Sequence, residues 1–237
     1  MPLKRTYSTS SEIIPSGGQF KRKKYPKRRK VMWPVNGTVG KPRPFPTRMV
    51  ATLRYCETIT ISQALNTIGN YCFNCNSIQD PNSTGGGHQP YGHDTYQSIY
   101  NQYTVLKSKI KVTPTRFSSA SNAITWGIGI EDVTTASNTY DGWAERPTYT
   151  AMGSVRGDGS TGSKAMMKYW DRKKRFPHED TYRSLSAPFG ASPAEVEVFN
   201  IVCQTSDTAA SPLGTIYLFV EIDYTCEFYE LKDLGGS

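Results

Sequence analysis

Residues 213–231 read LGTIYLFVEIDYTCEFYEL, in which Ile216, Leu218, Val220, Ile222, Tyr224, Cys226 and Phe228 occupy every second position. Successive side chains of an extended chain point to opposite faces, so a period of two held this long specifies a β-strand with one buried face. The same period governs 49–61, where Leu53, Tyr55, Glu57, Ile59 and Ile61 share one face and Thr52, Arg54, Cys56, Thr58 and Thr60 the other. It returns at 105–115, with Leu106, Ser108, Ile110 and Val112 opposite a cationic row of Lys107, Lys109 and Lys111. At 124–131 Ile124, Trp126, Ile128 and Ile130 alternate with small or polar residues, and Gly127 and Gly129 suggest a bend or the close approach of another backbone. Val196, Val198 and Val202 mark a strand over 194–204.

Weaker strand patterns lie at 68–78, 149–155 and 164–176, between turn-rich segments such as Asp80-Pro81-Asn82 and Gly85-Gly86-Gly87. Asp94 and Gln97 have the spacing of a capping box, and Tyr96, Ile99, Tyr100 and Tyr103 then follow a helical period, predicting a short helix that runs into the strand from Val105. Residues 133–148 and 153–162 read as exposed loops. About eight strands joined by long connections, without an internal repeat, predict an all-β fold: a single eight-stranded jelly-roll β-sandwich rather than a meander barrel, whose hairpins would be short.

The strand pattern begins only after residue 48. From Met1 to Arg48 there are thirteen Lys or Arg against one acid, Glu12, whereas the remaining residues hold fifteen against nineteen. The chain is therefore strongly cationic at its N-terminal end and slightly acidic elsewhere. Lys21, Arg22, Lys23, Lys24, Lys27, Arg28, Arg29 and Lys30 crowd into ten residues, KRKKYPKRRK, a density at which self-repulsion opposes compaction. Residues 1–48 are thus expected to be a disordered basic arm and linker, and 49–237 a folded domain. Such an arm seeks a polyanion, since each cation that meets a phosphate releases condensed counterions. The same run also reads as a nuclear import signal. A second basic group, with Lys164 and Lys168 leading to Arg172, Lys173, Lys174 and Arg175, lies in a folded segment beside Tyr169, Trp170 and Phe176. It reads either as a solvated strand face or as a polyanion contact whose aromatics stack on unpaired bases.

Other chemistries find weaker support. Cys72, Cys75, His88 and His93 match the arithmetic of a zinc finger, but His88-Gln89-Pro90-Tyr91-Gly92-His93 contains helix breakers, so inward cysteines and a polar loop are expected, with no metal. The run from Gly157 to Lys164 has Ser-Lys where a phosphate-binding loop needs Lys-Ser, and Arg156-Gly157-Asp158 is a tripeptide common by chance. Three histidines outside any nucleophile or acid–base motif, and carboxylates paired only as neighbours (Glu131 with Asp132, Glu179 with Asp180), give no catalytic site and no cofactor. Five cysteines, the absence of a membrane-length apolar run and a polar N-terminus lead to the expectation of free thiols in a reducing compartment.

The basic arm from Lys21 to Lys30, together with Pro90-Tyr91-Gly92-His93-Asp94-Thr95-Tyr96, Tyr100, Tyr103-Thr104-Val105 and Ser108-Lys109-Ile110, resembles the capsid proteins of small circular single-stranded DNA viruses that encode a replication initiator, the circovirus-like group. The resemblance implies a jelly roll whose copies close the smallest (T=1) icosahedral shell, with the arms inside on the genome. The arm uses Lys about as much as Arg, unlike circoviruses proper, and a satellite RNA virus coat protein shares the plan. The expected function is a non-enzymatic capsid subunit that assembles with copies of itself and packages single-stranded nucleic acid, DNA before RNA. It would reside in the virion and, during assembly, in the host nucleus by way of an import receptor, without contact to membrane. The alternatives are a nuclear nucleic-acid-binding protein that acts as a monomer and a sugar-binding or cupin-like enzyme.

Overall fold

In the computed structural model, the alternating C-terminal segment forms β9 (Thr215–Leu231), with inward positions buried and outward positions half-covered almost to its end. Both of its edges are paired. On one side it meets β1 (Arg48–Ser62) in a continuous antiparallel register from Arg48 opposite Tyr229 to Ser62 opposite Thr215. On the other it meets β3 (Tyr100–Phe117), which continues the sheet to β6 (Met166–Asp171) and, at its N-terminal end, to the three-residue β7 (Ser186–Pro188). A second antiparallel sheet joins β2 (Gly69–Asn74), β8 (Val198–Thr205), β4 (Ala123–Glu131) and β5 (Met152–Arg156) in that order. The structure describes residues 44–62, 68–117, 123–134, 140–146, 148, 152–156, 164–177, 184–205 and 215–233. All of these lie in one compact unit, Arg43–Ser237.

The pairing is nested: β1 with β9, β2 with β8, β3 with β6, β4 with β5. Such nesting is one long antiparallel hairpin, and its two extra contacts, β3 on β9 and β4 on β8, roll that hairpin into two sheets. This is the jelly roll expected from the strand count, with β7 added as a short ninth strand. The inner faces meet in one apolar core, in which Tyr55, Ile110 and Ile222 from the first sheet and Phe73, Trp126 and Ile201 from the second are buried. Tyr224 spans the two layers by donating its hydroxyl to the Asn74 carbonyl oxygen at 2.7 Å.

Several local expectations are corrected. The helix α1 is His93–Ile99, begun by Gly92 in the left-handed region (φ 88°), while Asp94 makes no capping bond and instead meets His93 Nδ1 at 3.0 Å. It ends before Tyr100, because Tyr100 turns extended to pair with Leu231 and donates its hydroxyl to the Pro46 carbonyl; tertiary pairing overrides the helical period of Tyr100 and Tyr103. In β3 a bulge between Val105 and Lys107 sends Val105 into the core and leaves Leu106 half-buried, so Leu106 does not continue the face of Ser108. Gly153, where the expected strand 149–155 and loop 153–162 overlap, lies in β5 opposite Trp126, and a Cβ there would stand 2.8 Å from Met166 Cε. The polar 133–148 stretch holds a short helix, α2 (Tyr140–Ala144), near β4 through an ion pair between Arg146 and the buried Glu131.

The segment after β2 folds back over the end of the sandwich. His88 stacks on Tyr55 with ring centroids 4.7 Å apart, and the Tyr91 N–H donates to the Arg54 carbonyl at 3.1 Å, on the edge of β1 that faces away from β9. Asn82 secures this segment: its amide donates to Glu57 and to Tyr71, and its oxygen accepts the N–H groups of Thr84 and Gly85.

Replacing Tyr224 with Phe keeps the ring and removes the bond to Asn74. The expected loss is about 1–2 kcal/mol, read as a lower urea midpoint with an unchanged slope; an unchanged midpoint would show that the cross-layer bond contributes nothing.

Candidate nucleic-acid interface

Lys21, Arg22, Lys23, Lys24, Lys27, Arg28, Arg29 and Lys30 lie outside the described residues, as do most of the Gly157–Lys164 run and Glu179 and Asp180. The second basic group is described: Lys168 lies in β6, but Arg172–Arg175 do not form a strand face. β6 stops at Asp171, whose extended backbone (φ −138°, ψ 117°) and side chain, accepting from the Lys173 N–H at 3.0 Å, make it the N-cap of a single helical turn, α3 (Arg172–Arg175). The turn closes with the Phe176 N–H on the Arg172 carbonyl at 2.8 Å.

A helical turn fans its side chains, so the four cations of α3 separate in role. Arg175 points at Glu197, donating Nε to Oε1 at 2.7 Å with a second bond from Nη2. The Glu197 side chain is 6% exposed and its other oxygen accepts the Trp170 indole N–H. That hydrogen bond to Glu197 raises the Arg175 guanidinium pKa against the opposing effect of burial. Arg175 is thus engaged within the subunit, whereas Lys173 and Lys174 are exposed. Lys168 is partly buried and donates to the Thr148 carbonyl, and burial followed by repulsion from Arg175 lowers its pKa. The aromatics divide similarly. Trp170 is core, Phe176 packs against the core, and Tyr169 is 65% exposed.

Tyr169 stands in a groove of about 560 Å³ on the outer face of the first sheet, lined by Lys107, Lys109, Tyr169, Asp171, Lys174 and Asp223 among others. The ladder places Arg54, Asp223, Lys109 and Tyr169 in one row across β1, β9, β3 and β6. Most of the charge here is matched. Arg54 grips Asp223 with two bonds of 2.7 and 3.2 Å, Lys107 pairs with Asp171 at 3.2 Å, and one row away Lys111 pairs with Glu221 at 2.6 Å. Burial alone would raise the Asp171 carboxyl, but the hydrogen bonds from Lys107 and the Lys173 N–H, with the nearby ammoniums, hold it below its ordinary value. Of the cationic row, only Lys109 makes no ion pair among the described residues; Lys174 makes none either, though its charge reaches Asp171. Glu221 on β9 and Asp171 on β6 neutralise Lys111 and Lys107, while Asp223, opposite Lys109 in the ladder, is taken by Arg54. The sequence reading missed Lys109 as a site residue and named Tyr169 as a possible stacking ring without separating it from Trp170 and Phe176; the alternation of Met167, Tyr169 and Asp171 with Met166, Lys168 and Trp170 is the signal that separates the ring facing out from the ring facing in.

The zinc-like residues are dispersed. Cys72 and Cys75 are buried, with burial pushing the Cys72 thiol up to about 11, while His88 sits on Tyr55 and His93 packs edge-on to Phe189. Among the described residues, no three His, Cys, Asp or Glu side chains group as they would around a metal ion. The buried carboxylates are both held: Glu131 by Arg146 and Asn200, Glu197 by Arg175 and Trp170. Among the described residues, no helix is long and apolar enough to cross a membrane.

No protein-family model matches this sequence, and no curated protein matches it. Among solved structures the chain is similar to the semi-empty virus-like particle of the giant freshwater prawn Macrobrachium rosenbergii nodavirus, at 9% identity and a TM-score of 0.49, covering 92% of this chain and 100% of that one. It is similar to mud crab tombus-like virus at 10% identity and a TM-score of 0.48, over 96% of each chain. The decameric BFDV capsid protein is 12% identical with a TM-score of 0.44, over 77% of this chain and 99% of that one.

Asp171 joins the groove to α3, which makes its ionisation testable. Its folded carboxyl is more acidic than an unfolded one, so its contribution to stability is complete above the ordinary aspartate range, about 3.9, and is lost as the pH falls through the lower folded value. Asp171→Ala is expected to cost about 1 kcal/mol at neutral pH through the lost cap. The gap between variant and wild-type melting temperatures should close on acidification, and a gap independent of pH would refute the assignment.

Proposed function

We propose that this chain is a viral coat subunit whose jelly roll assembles with copies of itself into a closed shell and whose basic arm condenses a single-stranded genome inside it. The observation that carries the reading is the separation of charge along the sequence: twelve net positive charges up to Arg48 and four net negative charges beyond it. A nearly balanced body lets like subunits pack without strong mutual repulsion, while the arm supplies affinity for any polyanion, independent of its sequence. With about sixty subunits in the smallest closed icosahedral shell, the arms would bring on the order of 700 positive charges to the cargo. That supply relieves repulsion between phosphates and couples closure of the shell to the presence of a genome. DNA is preferred to RNA on the resemblance to circovirus-like coats. The run from Lys21 to Lys30 serves a second purpose in this reading, binding an import receptor before assembly, so that subunits reach the nucleus and are then retained in virions.

Removing residues 1–30 tests the division of labour. Particles lacking the arm are expected to lose packaged nucleic acid, seen as a fall in the 260/280 nm absorbance ratio of purified shells, while the melting temperature of the body stays unchanged. The slope of log affinity for single strands against log salt should flatten by up to about 7, the share of the ten cations removed. Unchanged cargo uptake, or full-length protein that never closes into particles under the electron microscope, would overturn the proposal.

A further inference from the structure

The outer groove of the first sheet has more structure than a charged surface requires. Tyr169 is 65% exposed on β6, the edge strand of its sheet, with Met167 beside it 45% exposed. Two large side chains left uncovered side by side forgo the apolar burial available elsewhere in the molecule. The charge around them is arranged in one sense. Asp223 is taken by Arg54, Asp171 by Lys107 and the Lys173 N–H, and Glu197 beneath by Arg175. Among the described residues, Lys109, directly opposite Tyr169 in the β3–β6 register, and Lys174, on the turn that follows β6, make no ion pair, Lys174 acting on Asp171 only from a distance. Thr225 adds a hydroxyl group to the lining, shared with Thr52 at 3.3 Å, whereas the Ser108 hydroxyl is turned inward onto the Cys75 carbonyl. The groove volume, about 560 Å³, falls within the usual range for a small bound group, roughly 300–1,000 Å³.

We infer that this groove is a base-stacking site for an unpaired nucleotide of a single strand, with the base on the Tyr169 ring and its flanking phosphates at Lys109 and Lys174. The inference deepens the coat-subunit reading and rests on it for the source of the strand, the packaged genome. An aromatic face offers stacking to every base, so the contact is tolerant of sequence. A paired base has both faces covered by its neighbours and cannot lie on the ring, so the groove selects single strands over duplex, which the arm alone does not do. The free cations supply the phosphate attraction, and the neutralised acids remove the repulsion that Asp171 and Asp223 would otherwise exert. A sulfated glycan would also engage Lys109 and Lys174, but it offers no flat π-face to the phenol.

The full-length protein is tested with a thymidine oligonucleotide carrying 5-iodo-deoxyuridine and with a hairpin duplex of equal charge, both at about 0.5 M salt, where screening to within about 4 Å weakens the arm's contribution. Photocrosslinks to the oligonucleotide are expected at Tyr169. Tyr169→Ala should weaken single-strand binding about tenfold, within the range of one lost stack, and leave duplex binding and melting temperature unchanged; Tyr169→Phe should bind as the wild type. Substituting Lys109 and Lys174 together with Ala should reduce the single-strand salt slope by about 1.4. The site is refuted if crosslinks map only outside the groove with Tyr169→Ala silent, if single-strand and duplex binding fall equally, or if heparin binding depends on the two lysines while oligonucleotide binding does not. It is refuted too if Tyr169→Ala changes the sedimentation of the particles but not their binding, which would make the face a contact between copies. Loss of uptake on removing the arm together with a silent Tyr169→Ala would sink the stacking site and spare the coat reading; groove binding by a protein that never closes into particles would do the reverse.

Discussion

A strand of seventeen residues hydrogen-bonded along both edges leaves its neighbours little freedom of register. β9 is matched position by position to β1 over fifteen residues, and to β3 along most of its length. Slipping either pair by one residue would turn Tyr55, Ile222 and Tyr224 out to solvent and bring Arg54, Asp223 and Lys109 into the core, a loss of apolar burial compounded by buried charge. The register that buries the core therefore also composes the outer face. Arg54, Asp223, Lys109 and Tyr169 stand in a row because their alternate neighbours Tyr55, Ile222, Ile110 and Trp170 are inward. Strand pairing and surface electrostatics are here one constraint seen from two sides.

Glu197 holds the other half of the arrangement. It precedes β8 in the second sheet, its carbonyl accepts the Cys75 N–H at 2.7 Å, its own N–H donates to Asn76, and its carboxylate reaches Trp170 on β6 and Arg175 on α3. A buried carboxylate is costly unless its hydrogen-bonding capacity is filled, and here a guanidinium and an indole fill it. In doing so it fixes the end of β6, and with it the position at which Asp171 caps the basic turn. The turn that carries Lys174 is thus held by a network that begins at Glu197, just ahead of β8.

The sandwich was legible from the sequence where one face is buried and the other wet, because there the period of two is clean; β1, β9 and the inward side of β3 after its bulge are of this kind. It was least legible where tertiary pairing or a cap decides. Tyr96, Ile99, Tyr100 and Tyr103 have a helical spacing, yet the last two enter a strand because Leu231 and Phe228 offer backbone partners. Val105 and Leu106 exchange roles at the bulge, which no periodicity marks. In the candidate site the cluster from Arg172 to Arg175 was visible as charge, but the partition into one engaged arginine and exposed lysines depends on Glu197, more than twenty residues away in the chain. Lys109 was visible as one of three equal lysines; the pairing of Lys107 with Asp171, of Lys111 with Glu221 and of Asp223 with Arg54 singles it out.

The backbone bond from Tyr91 to Arg54 lies midway along the outer margin of β1 and occupies an acceptor that a foreign strand would need. A sheet interrupted there cannot be extended smoothly from molecule to molecule, so open-ended fibrillar growth through that margin is blocked. On the coat-subunit reading proposed above, copies that meet at this margin do so through side chains and connecting segments, whose contacts can set an angle between bodies. At this margin, a finite curved assembly of the kind proposed is compatible with the edge, and an endless ribbon is not.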